Sequence, residues 1–270
     1  MKSHIFAAEN IIAGYGGEAV VSGIDISVPS SKISVMLGAN ACGKSTLLKT
    51  MSRILKPDSG SVTLDGVNIE RIPSKKLARR LGLLPQSPIA PEGIAVSDLV
   101  GRGRFPHQKL WGGFSKADYE AVSEALDVMG ISDLCNRNVD ELSGGQRQRV
   151  WIAMALAQQT DILLLDEPTT FLDIAHQVEI LDLLTDLNRS RGTTIVMVLH
   201  DINLAARYAD HIFAMRGGKL IAEGAPKKVI TADLVQQTFD LECTVITDPI
   251  SNTPIVLPVG RHHRAYTAAN

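Results

Sequence analysis

Apolar and polar residues alternate near the start of the chain and then give way to short apolar runs. Residues 10–17 (NIIAGYGG) resemble a strand, and residues 23–28 (GIDISV) have the period-two pattern of a half-buried strand. The mostly apolar run KISVMLG at 32–38 is typical of a strand that is buried on both faces. Beyond it, apolar residues recur at helical spacing, so we predict a helix that begins near Lys44 and stops before Pro57.

The pattern changes over residues 87–140, where proline and glycine mark several loops. Between these loops lies one clear helical segment (SKADYEAVSEALDVMG). Ser115 is its predicted N-cap, with Asp118 three residues later, and Gly130 is its predicted stop. A second helix is predicted for 143–159 (SGGQRQRVWIAMALAQQ). This part of the chain is therefore expected to form a mostly helical inserted lobe.

Strand patterns return in the second half of the chain. The apolar runs at 161–168 (DILLLDEP) and 193–201 (TTIVMVLHD) are separated by a helical pattern at 174–192. This alternation is typical of a parallel sheet with crossover helices, and it predicts an α/β fold. The tail is the least readable part, with candidate strands at 243–249 and 254–260.

Composition narrows the class of protein. The chain has 270 residues, 27 basic and 29 acidic, with a net charge of -2, so no overall field attracts nucleic acid and no nucleic-acid partner is expected. Cys42, Cys135 and Cys243 are far apart, which disfavours a zinc site or disulfides and fits the cytosol. No signal peptide or membrane span is predicted. His262 and His263 lie in a polar tail and are only a weak pattern for a metal site.

Residues 38–46 (GANACGKST) match the pattern Gly-x-x-x-x-Gly-Lys-Ser/Thr between a predicted strand and a predicted helix. In this setting the backbone N–H groups form an anion cradle, Lys44 adds a charge at the β- and γ-phosphates, and Ser45 can ligate Mg²⁺. The methyl group of Ala41 matters only where φ is positive or the backbone approaches a phosphate closely. Nucleotide binding is predicted for Gly38, Ala39, Asn40, Ala41, Cys42, Gly43, Lys44, Ser45 and Thr46.

Two acids follow the apolar strand LLL. A strand of this kind delivers its terminal carboxylates to the sheet edge where ligands of open α/β sheets bind. We therefore predict that Asp166 lies on the Mg²⁺ side of the nucleotide and that Glu167 polarises the attacking water.

The segment LSGGQRQR, residues 142–149, resembles the signature motif of ABC ATPases. Further motifs of that family occur in family order over nearly the whole chain. They are Tyr15 in AGYGG for the adenine-stacking aromatic, Gln86 in LLPQSP for the Q-loop, Asp173 in FLD for the D-loop and His200 in VLHD for the switch histidine. The departures are Ala39 and Ala41, where the family usually has Pro and Gly. Taken alone, Tyr15 could be a core aromatic and Gln86 a turn residue.

The resemblance implies a P-loop NTPase fold of the ABC cassette type, with a RecA-like core, an antiparallel β subdomain and an inserted helical subdomain. The chain is then a single ABC ATPase domain over 1–270. Its nucleotide-binding core comprises 1–86 and 161–223, its helical subdomain 87–160, and its C-terminal appendage 224–270.

The resemblance also implies a head-to-tail homodimer with ATP and Mg²⁺ as cofactors. One subunit's Ser143, Gly144, Gly145 and Gln146 close over the nucleotide held by the other subunit, and Asp173 lies at the same interface. The helix start at Ser143 supports this composite site because it exposes N–H groups to a γ-phosphate. The implied catalytic residues are Glu167, His200 and Gln86, and the implied metal ligands are Ser45, Gln86 and Asp166.

Four longer segments resemble the ATP-binding subunits of ferric-siderophore, haem and cobalamin importers, most closely those for iron–siderophore complexes. They are VGRGRFPHQKLWGGFSKAD, DEPTTFLDIAHQVEILDLL, VLHDINLAARYAD and CTVITDPISNTPIVLP. This implies an ATPase on the cytoplasmic face of a bacterial membrane, with permease subunits as partners and an extracytoplasmic siderophore-binding protein as an indirect one. Residues 101–114 are the expected docking segment, because they combine aromatic and basic side chains, although a solvated loop has the same composition.

Two alternatives stay open at this point. One is an importer ATPase for cobalamin or haem. The other is a soluble ABC ATPase of the iron–sulfur assembly type, which fits the length but leaves the importer-like segments unexplained. An exporter cassette is a weaker third option, because such cassettes are often fused to the membrane domain.

Overall fold

The computed structural model describes residues 4–109, 112–170 and 172–260, and the tail histidines His262 and His263 lie outside them. The described strands are β1 (Phe6–Gly14), β2 (Ala19–Val28), β3 (Ile33–Gly38), β4 (Ser59–Leu64), β5 (Val67–Asn68), β6 (Leu81–Leu84), β7 (Ile162–Leu165), β8 (Thr194–Val198), β9 (His211–Arg216), β10 (Lys219–Gly224), β11 (Cys243–Thr247) and β12 (Pro254–Pro258). The described α-helices are α1 (Lys44–Met51), α2 (Ser74–Ala78), α3 (Val96–Gly101), α4 (Lys116–Val128), α5 (Gly144–Ala157), α6 (Ile174–Arg191), α7 (Ile202–Tyr208), α8 (Pro226–Val229) and α9 (Ala232–Phe239).

A six-stranded sheet forms the centre of the fold, in the order β10-β9-β3-β8-β7-β6. The pairs from β9 to β6 are parallel, and only the edge strand β10 is antiparallel to its neighbour. Helices connect the parallel strands, as parallel pairing requires. The predicted α/β fold is confirmed.

The central strands β3, β7 and β8 are buried on both faces, which explains their nearly all-apolar sequences. In β7, Leu163 and Leu165 face one hydrophobic core while Leu164 faces the other, and none of the three is more than 1% exposed. The same alternation occurs in β8, where Ile195 and Val196 face opposite cores. Since side chains alternate along a strand, a strand between two apolar layers favours apolar residues at almost every position. The buried polar exceptions in β3, β7 and β8 are Ser34 and Thr194, the latter at the start of β8.

The N-terminal strands form a separate four-stranded sheet in the order β2-β1-β4-β5, and its pairs are antiparallel. Buried residues of β1 and β2 pack in the same core as Leu47 and Leu48 of α1. The antiparallel layer therefore covers the helix that follows the phosphate loop.

Helix α1 ends at Met51, earlier than the predicted stop before Pro57. The reason is Arg53, whose φ of 62° is left-handed and cannot continue the helix. Its guanidinium Nη1 donates to the carbonyl oxygens of Ile69 at 2.8 Å and Ile72 at 2.6 Å. These contacts between distant parts of the chain override the local helical pattern.

The segment between β6 and β7 contains α3, α4 and α5. Helix α4 begins with the predicted cap: Ser115 Oγ accepts from the N–H of Asp118, and the Asp118 carboxylate accepts from the N–H of Ser115 at 2.9 Å. Arg104 Nε donates to Asp118 at 2.9 Å, and both residues are 4% exposed. Burial raises the pKa of Asp118, but the hydrogen bonds from Ser115 and Arg104 outweigh it and lower that pKa to about 2.

The structure also contains elements that the sequence pattern did not predict. The short strand β6 and the hairpin of β9 and β10 belong to the central sheet, and α7 and α9 pack beside it. The two candidate strands of the tail are confirmed and pair as the antiparallel hairpin β11-β12. Among the described residues, none of the helices has the length and apolarity needed to cross a membrane.

Removing one partner of the buried Arg104–Asp118 pair should destabilise the fold. Arg104→Met leaves the Asp118 charge without its partner, which costs about 3 kcal/mol. Arg102→Met is the matched control, since Arg102 is exposed two residues away, and its effect should stay within about 0.5 kcal/mol. Urea unfolding followed by circular dichroism measures both, and equal effects of the two changes would contradict the assigned burial.

Candidate nucleotide-binding site

Four neighbouring parallel strands end at one edge of the central sheet and deliver the chemical groups of the site. The phosphate loop follows β3, His200 follows β8, Glu167 follows β7 and Gln86 follows β6. Together they line a cleft of about 580 Å³. The remaining lining residues are Tyr15, Val20, Asn40, Ala41, Cys42, Gly43, Lys44, Ser45 and Thr46.

The phosphate loop is held in shape by close backbone contacts. A methyl group added to Gly38 would lie 2.4 Å from the carbonyl oxygen of Met215 on β9 and 2.6 Å from the sulfur of Cys42. Only glycine fits there. Ala41 adopts a φ of 61°, a conformation that costs an alanine about 1 kcal/mol or more. Because φ is positive at Ala41, its methyl group strains the backbone of the phosphate loop, as a glycine at this position would not.

The Lys44 side chain folds back onto the start of the phosphate loop. It is 5% exposed, and its Nζ donates to the carbonyl oxygens of Gly38 at 2.8 Å and Ala39 at 2.9 Å. The sulfur of Cys42 lies 3.8 Å from the same Nζ and is also buried. The ammonium group is therefore kept inside the loop, where an anion bound to the backbone N–H groups would meet it.

Ser45 and Asp166 join the phosphate loop to the end of β7. Ser45 Oγ donates to Asp166 Oδ1 at 2.8 Å, while Asp166 Oδ2 is buried without a hydrogen-bond partner in the chain. Burial raises the pKa of Asp166, although the hydrogen bond from Ser45 opposes this. A buried carboxylate oxygen without a partner is costly, and it marks a position where a cation or water completes the site.

The Glu167 carboxylate contacts three polar side chains. Gln86 Nε2 donates to Glu167 Oε2 at 2.7 Å and Thr170 Oγ1 donates to the same oxygen at 2.9 Å. His200 Nε2 lies 2.6 Å from Glu167 Oε1. Burial raises the pKa of Glu167, but the contacts with His200, Thr170 and Gln86 prevail and hold it below its usual value. The group is therefore ionised at neutral pH and can accept a proton.

The backbone of Glu167 has a φ of 55°, in the left-handed region. Non-glycine residues adopt this conformation at a cost of about 1–3 kcal/mol, so the surrounding contacts must hold Glu167 in it. The turn aims the carboxylate of Glu167 into the cleft, whereas the preceding Asp166 points towards Ser45. Two adjacent acids thereby face different partners.

Tyr15 lies at the outer rim of the cleft, 62% exposed. The Nζ of Lys49, on α1, lies 5.9 Å from its ring centroid. Tyr15 is therefore not the core aromatic of the alternative interpretation, and its ring is free to stack against a planar ligand.

Other predicted site residues lie outside the cleft of this single chain. Ser143 caps α5 in a capping box with Gln146, and Ser143 and Gly144 are exposed. Asp173 caps α6 and is exposed, and its Oδ1 lies 2.7 Å from His176 Nδ1. The structure thus separates the predicted site into a cleft and an exposed second surface.

Sequence reasoning missed several residues that the structure places here. Thr170 binds Glu167 and Val20 lines the cleft, while the ring of His176 lies against Gly145 on the second surface. Thr170 follows the DEP motif by two residues, so its hydroxyl was a signal that could have been used. Val20 and His176 carry no distinctive pattern.

A strand, phosphate loop and helix, with acids on a neighbouring strand, define a P-loop nucleotide-binding protein. The comparisons narrow this class. Residues 21–170 match the family model described as ABC transporter. The ferric enterobactin transport ATP-binding protein FepC of Escherichia coli (strain K12) is 50% identical over 253 residues, which cover 94% of this chain and 93% of that protein.

Solved structures of ABC transporter proteins have the same fold as this chain. A metal-chelate-type ABC transporter in an inward-facing conformation superposes with a TM-score of 0.82 at 28% identity, covering 96% of this chain and 98% of the other. The dimeric bacterial ABC transporter cassette MJ0796 gives a TM-score of 0.72 at 28% identity, covering 82% of this chain and 98% of the other.

The chain belongs to the ABC transporter family. It is an ATP-binding subunit that hydrolyses ATP, and the cassette fold expected from its motifs is confirmed.

Filling the space at Gly38 should disrupt the phosphate loop. Gly38→Ala forces its methyl group against Met215 and Cys42, which costs about 1–3 kcal/mol and displaces the loop. We expect a lower melting temperature and loss of ATP binding by calorimetry. Gly17→Ala is the matched control, because nothing lies within 4 Å of the added methyl group. Wild-type ATP affinity in Gly38→Ala would contradict the described loop packing.

Proposed function

We propose that this chain powers a membrane importer of ferric-siderophore complexes by binding and hydrolysing ATP between two copies of itself. The observation that carries the enzymatic half is the ionised Glu167, held by Gln86, Thr170 and His200 beside the phosphate loop. The transport half is supported by the similarity to FepC over nearly the whole of both chains.

In this proposal the cleft holds the nucleotide along its length. The adenine stacks on the exposed ring of Tyr15, and the triphosphate lies on the N–H groups of residues 38–46 at the start of α1. Lys44 exchanges its contacts with Gly38 and Ala39 for contacts with the β- and γ-phosphates. The positive end of α1 adds to this attraction.

The residues present fit a Mg²⁺ ion beside the γ-phosphate. Mg²⁺ prefers oxygen ligands, and the Ser45 hydroxyl and the unpartnered Oδ2 of Asp166 are oxygen donors at the correct end of the loop. Gln86 is a further candidate ligand through its amide oxygen. When bound, the ion neutralises charge on the phosphates.

Glu167 acts on the attacking water. Its carboxylate either accepts a proton from the water or orients the water for attack. His200 and Gln86 hold the carboxylate in place and face the γ-phosphate. General-base catalysis of this kind contributes about 10²–10⁴-fold to the rate.

Glu167→Gln should separate binding from hydrolysis. The amide keeps the size of the side chain but cannot accept the proton, so we expect ATP affinity near the wild-type value and a turnover rate lower by about 10²-fold or more. Calorimetry measures the affinity and phosphate release measures the turnover. Turnover within a few-fold of wild type would rule out this role for Glu167.

The exposed second surface completes the site from a second copy. The N-terminus of α5 is formed by Ser143, Gly144, Gly145 and Gln146. Asp173 lies near this helix end, because it contacts His176, whose ring lies against Gly145. In one chain these groups do not line the cleft. In a head-to-tail dimer each surface closes over the partner's γ-phosphate, which gives two ATP molecules per dimer.

The permease docks on the segment after Gln86. The structure describes residues 101–109 and 112–114 of the expected docking segment, in which Phe105 is 59% exposed. A hydrogen bond holds the segment to the rest of the chain, because Arg79 Nε donates to the carbonyl oxygen of Pro106 at 2.8 Å. A firmly held loop with an exposed aromatic suits a protein contact. The ATPase then lies on the cytoplasmic face of the membrane, and a siderophore-binding protein delivers the cargo outside.

Uptake of radiolabelled iron, presented as ferric siderophores, tests the transport half. Cells whose only copy is Glu167→Gln should lose this uptake, because hydrolysis is blocked while the protein stays folded. Equal expression and an unrelated transported nutrient serve as controls. Normal iron uptake would contradict the proposed substrate, and cobalamin and haem uptake would then be measured in the same strains.

A further inference from the structure

The C-terminal hairpin β11-β12 has no part in the function proposed so far. It is nevertheless firmly joined to the core, since Val256 on β12 is 2% exposed and Val245 on β11 packs against the same hydrophobic cluster. Strand β12 packs against α7, and β11 packs against α9. Helix α7 begins two residues after His200, so β12 contacts the helix that directly follows the His200 loop.

The Asn203 side chain makes two hydrogen bonds between α7 and the hairpin. The N–H of Val256 donates to Asn203 Oδ1 at 2.7 Å, and Asn203 Nδ2 donates to the carbonyl oxygen of Val256 at 3.2 Å. Strand β12 has β11 as its single strand neighbour among the described residues. The Asn203 amide thus pairs with β12 as the peptide group of an adjacent strand would.

A second set of contacts links Asn203 to the loop that carries His200. Asp201 caps α7, and its Oδ1 accepts from the N–H groups of Asn203 at 2.7 Å and Leu204 at 3.0 Å. On the other side of His200, Leu199 is 2% exposed and its N–H donates to the carbonyl oxygen of Met36 at 3.4 Å. His200 therefore sits between two anchored residues, and the anchor on the α7 side reaches the hairpin.

We propose that Asn203 is a positioning residue through which the C-terminal hairpin sets the placement of His200 on Glu167. The hairpin holds the first turn of α7, the Asp201 cap holds the loop, and the loop holds the His200 ring 2.6 Å from Glu167. This inference rests on the role proposed above for His200. It assigns a catalytic contribution to the tail.

The other end of α7 offers a matched control. Tyr208 Oη donates to Asp182 Oδ1 at 2.9 Å, which ties the last residue of α7 to α6. Burial and the hydrogen bond to Asp182 raise the pKa of Tyr208 to about 12, so its hydroxyl stays a donor at neutral pH. Tyr208→Phe removes one hydrogen bond from the same helix without touching the hairpin or the loop of His200.

The test is a double-mutant cycle between Asn203→Ala and His200→Ala in the full chain, with steady-state kinetics at varied ATP concentration. Asn203→Ala should lower kcat about tenfold through misplacement of His200, with the KM for ATP unchanged within about twofold. Tyr208→Phe should keep the wild-type kcat. In the His200→Ala background, Asn203→Ala should have no further effect, because the group it positions is gone.

The outcomes separate this inference from the function on which it rests. If His200→Ala hydrolyses ATP like wild type, the proposed role of His200 fails. If His200→Ala is impaired but Asn203→Ala is not, the positioning role of Asn203 is overturned and the role of His200 stands. If Asn203→Ala lowers kcat by the same factor in both backgrounds, Asn203 acts only on the fold. Melting temperatures of all variants are measured alongside.

Discussion

The parallel pairing of β3, β8, β7 and β6 is the constraint on which the site depends. Because these strands run in the same direction, their carboxyl ends bring the phosphate loop, His200, Glu167 and Gln86 to one edge, although 162 positions separate Gly38 from His200 in the numbering. The same pairing buries the strands on both faces, so their sequences are nearly all apolar. The chemistry and the hydrophobic core therefore arise from one arrangement.

That arrangement explains which features could be predicted from the sequence. The strands β3, β7 and β8 were recognisable because burial on both faces leaves a mostly apolar run. The phosphate loop was recognisable because its chemistry dictates the spacing of its residues. Strand β6 is as short as β7, but its sequence LGLL contains Gly82, a residue type depleted in strands, so no continuous apolar run marks it. Helix α1 ended early because Arg53 binds carbonyl oxygens that lie far along the chain. Such contacts leave no local pattern.

In the site, too, some features could be predicted from local sequence patterns and others could not. Glu167 was predicted from its place at a strand end, whereas its partnership with Thr170 depends on a left-handed turn that no spacing rule specifies. The contact of Asn203 with Val256 joins residues 53 positions apart and was equally invisible. The motifs at Ser143 and Asp173 were recognisable, and the family resemblance already implied that they act on the nucleotide of a second copy. In the structure they do not line the cleft of their own chain. It is this separation that makes a single chain incomplete in our account.

The central claim, a site shared between two chains, is tested most directly by mixing two inactive variants. Lys44→Ala removes the phosphate-loop charge, and Ser143→Arg blocks the N-terminus of α5 on the second surface. In a head-to-tail dimer of one variant with the other, one site carries both defects and the other site carries neither. The account predicts that the mixture hydrolyses ATP although each variant alone does not. A mixture as inactive as its components, with mixed dimers present, would contradict it.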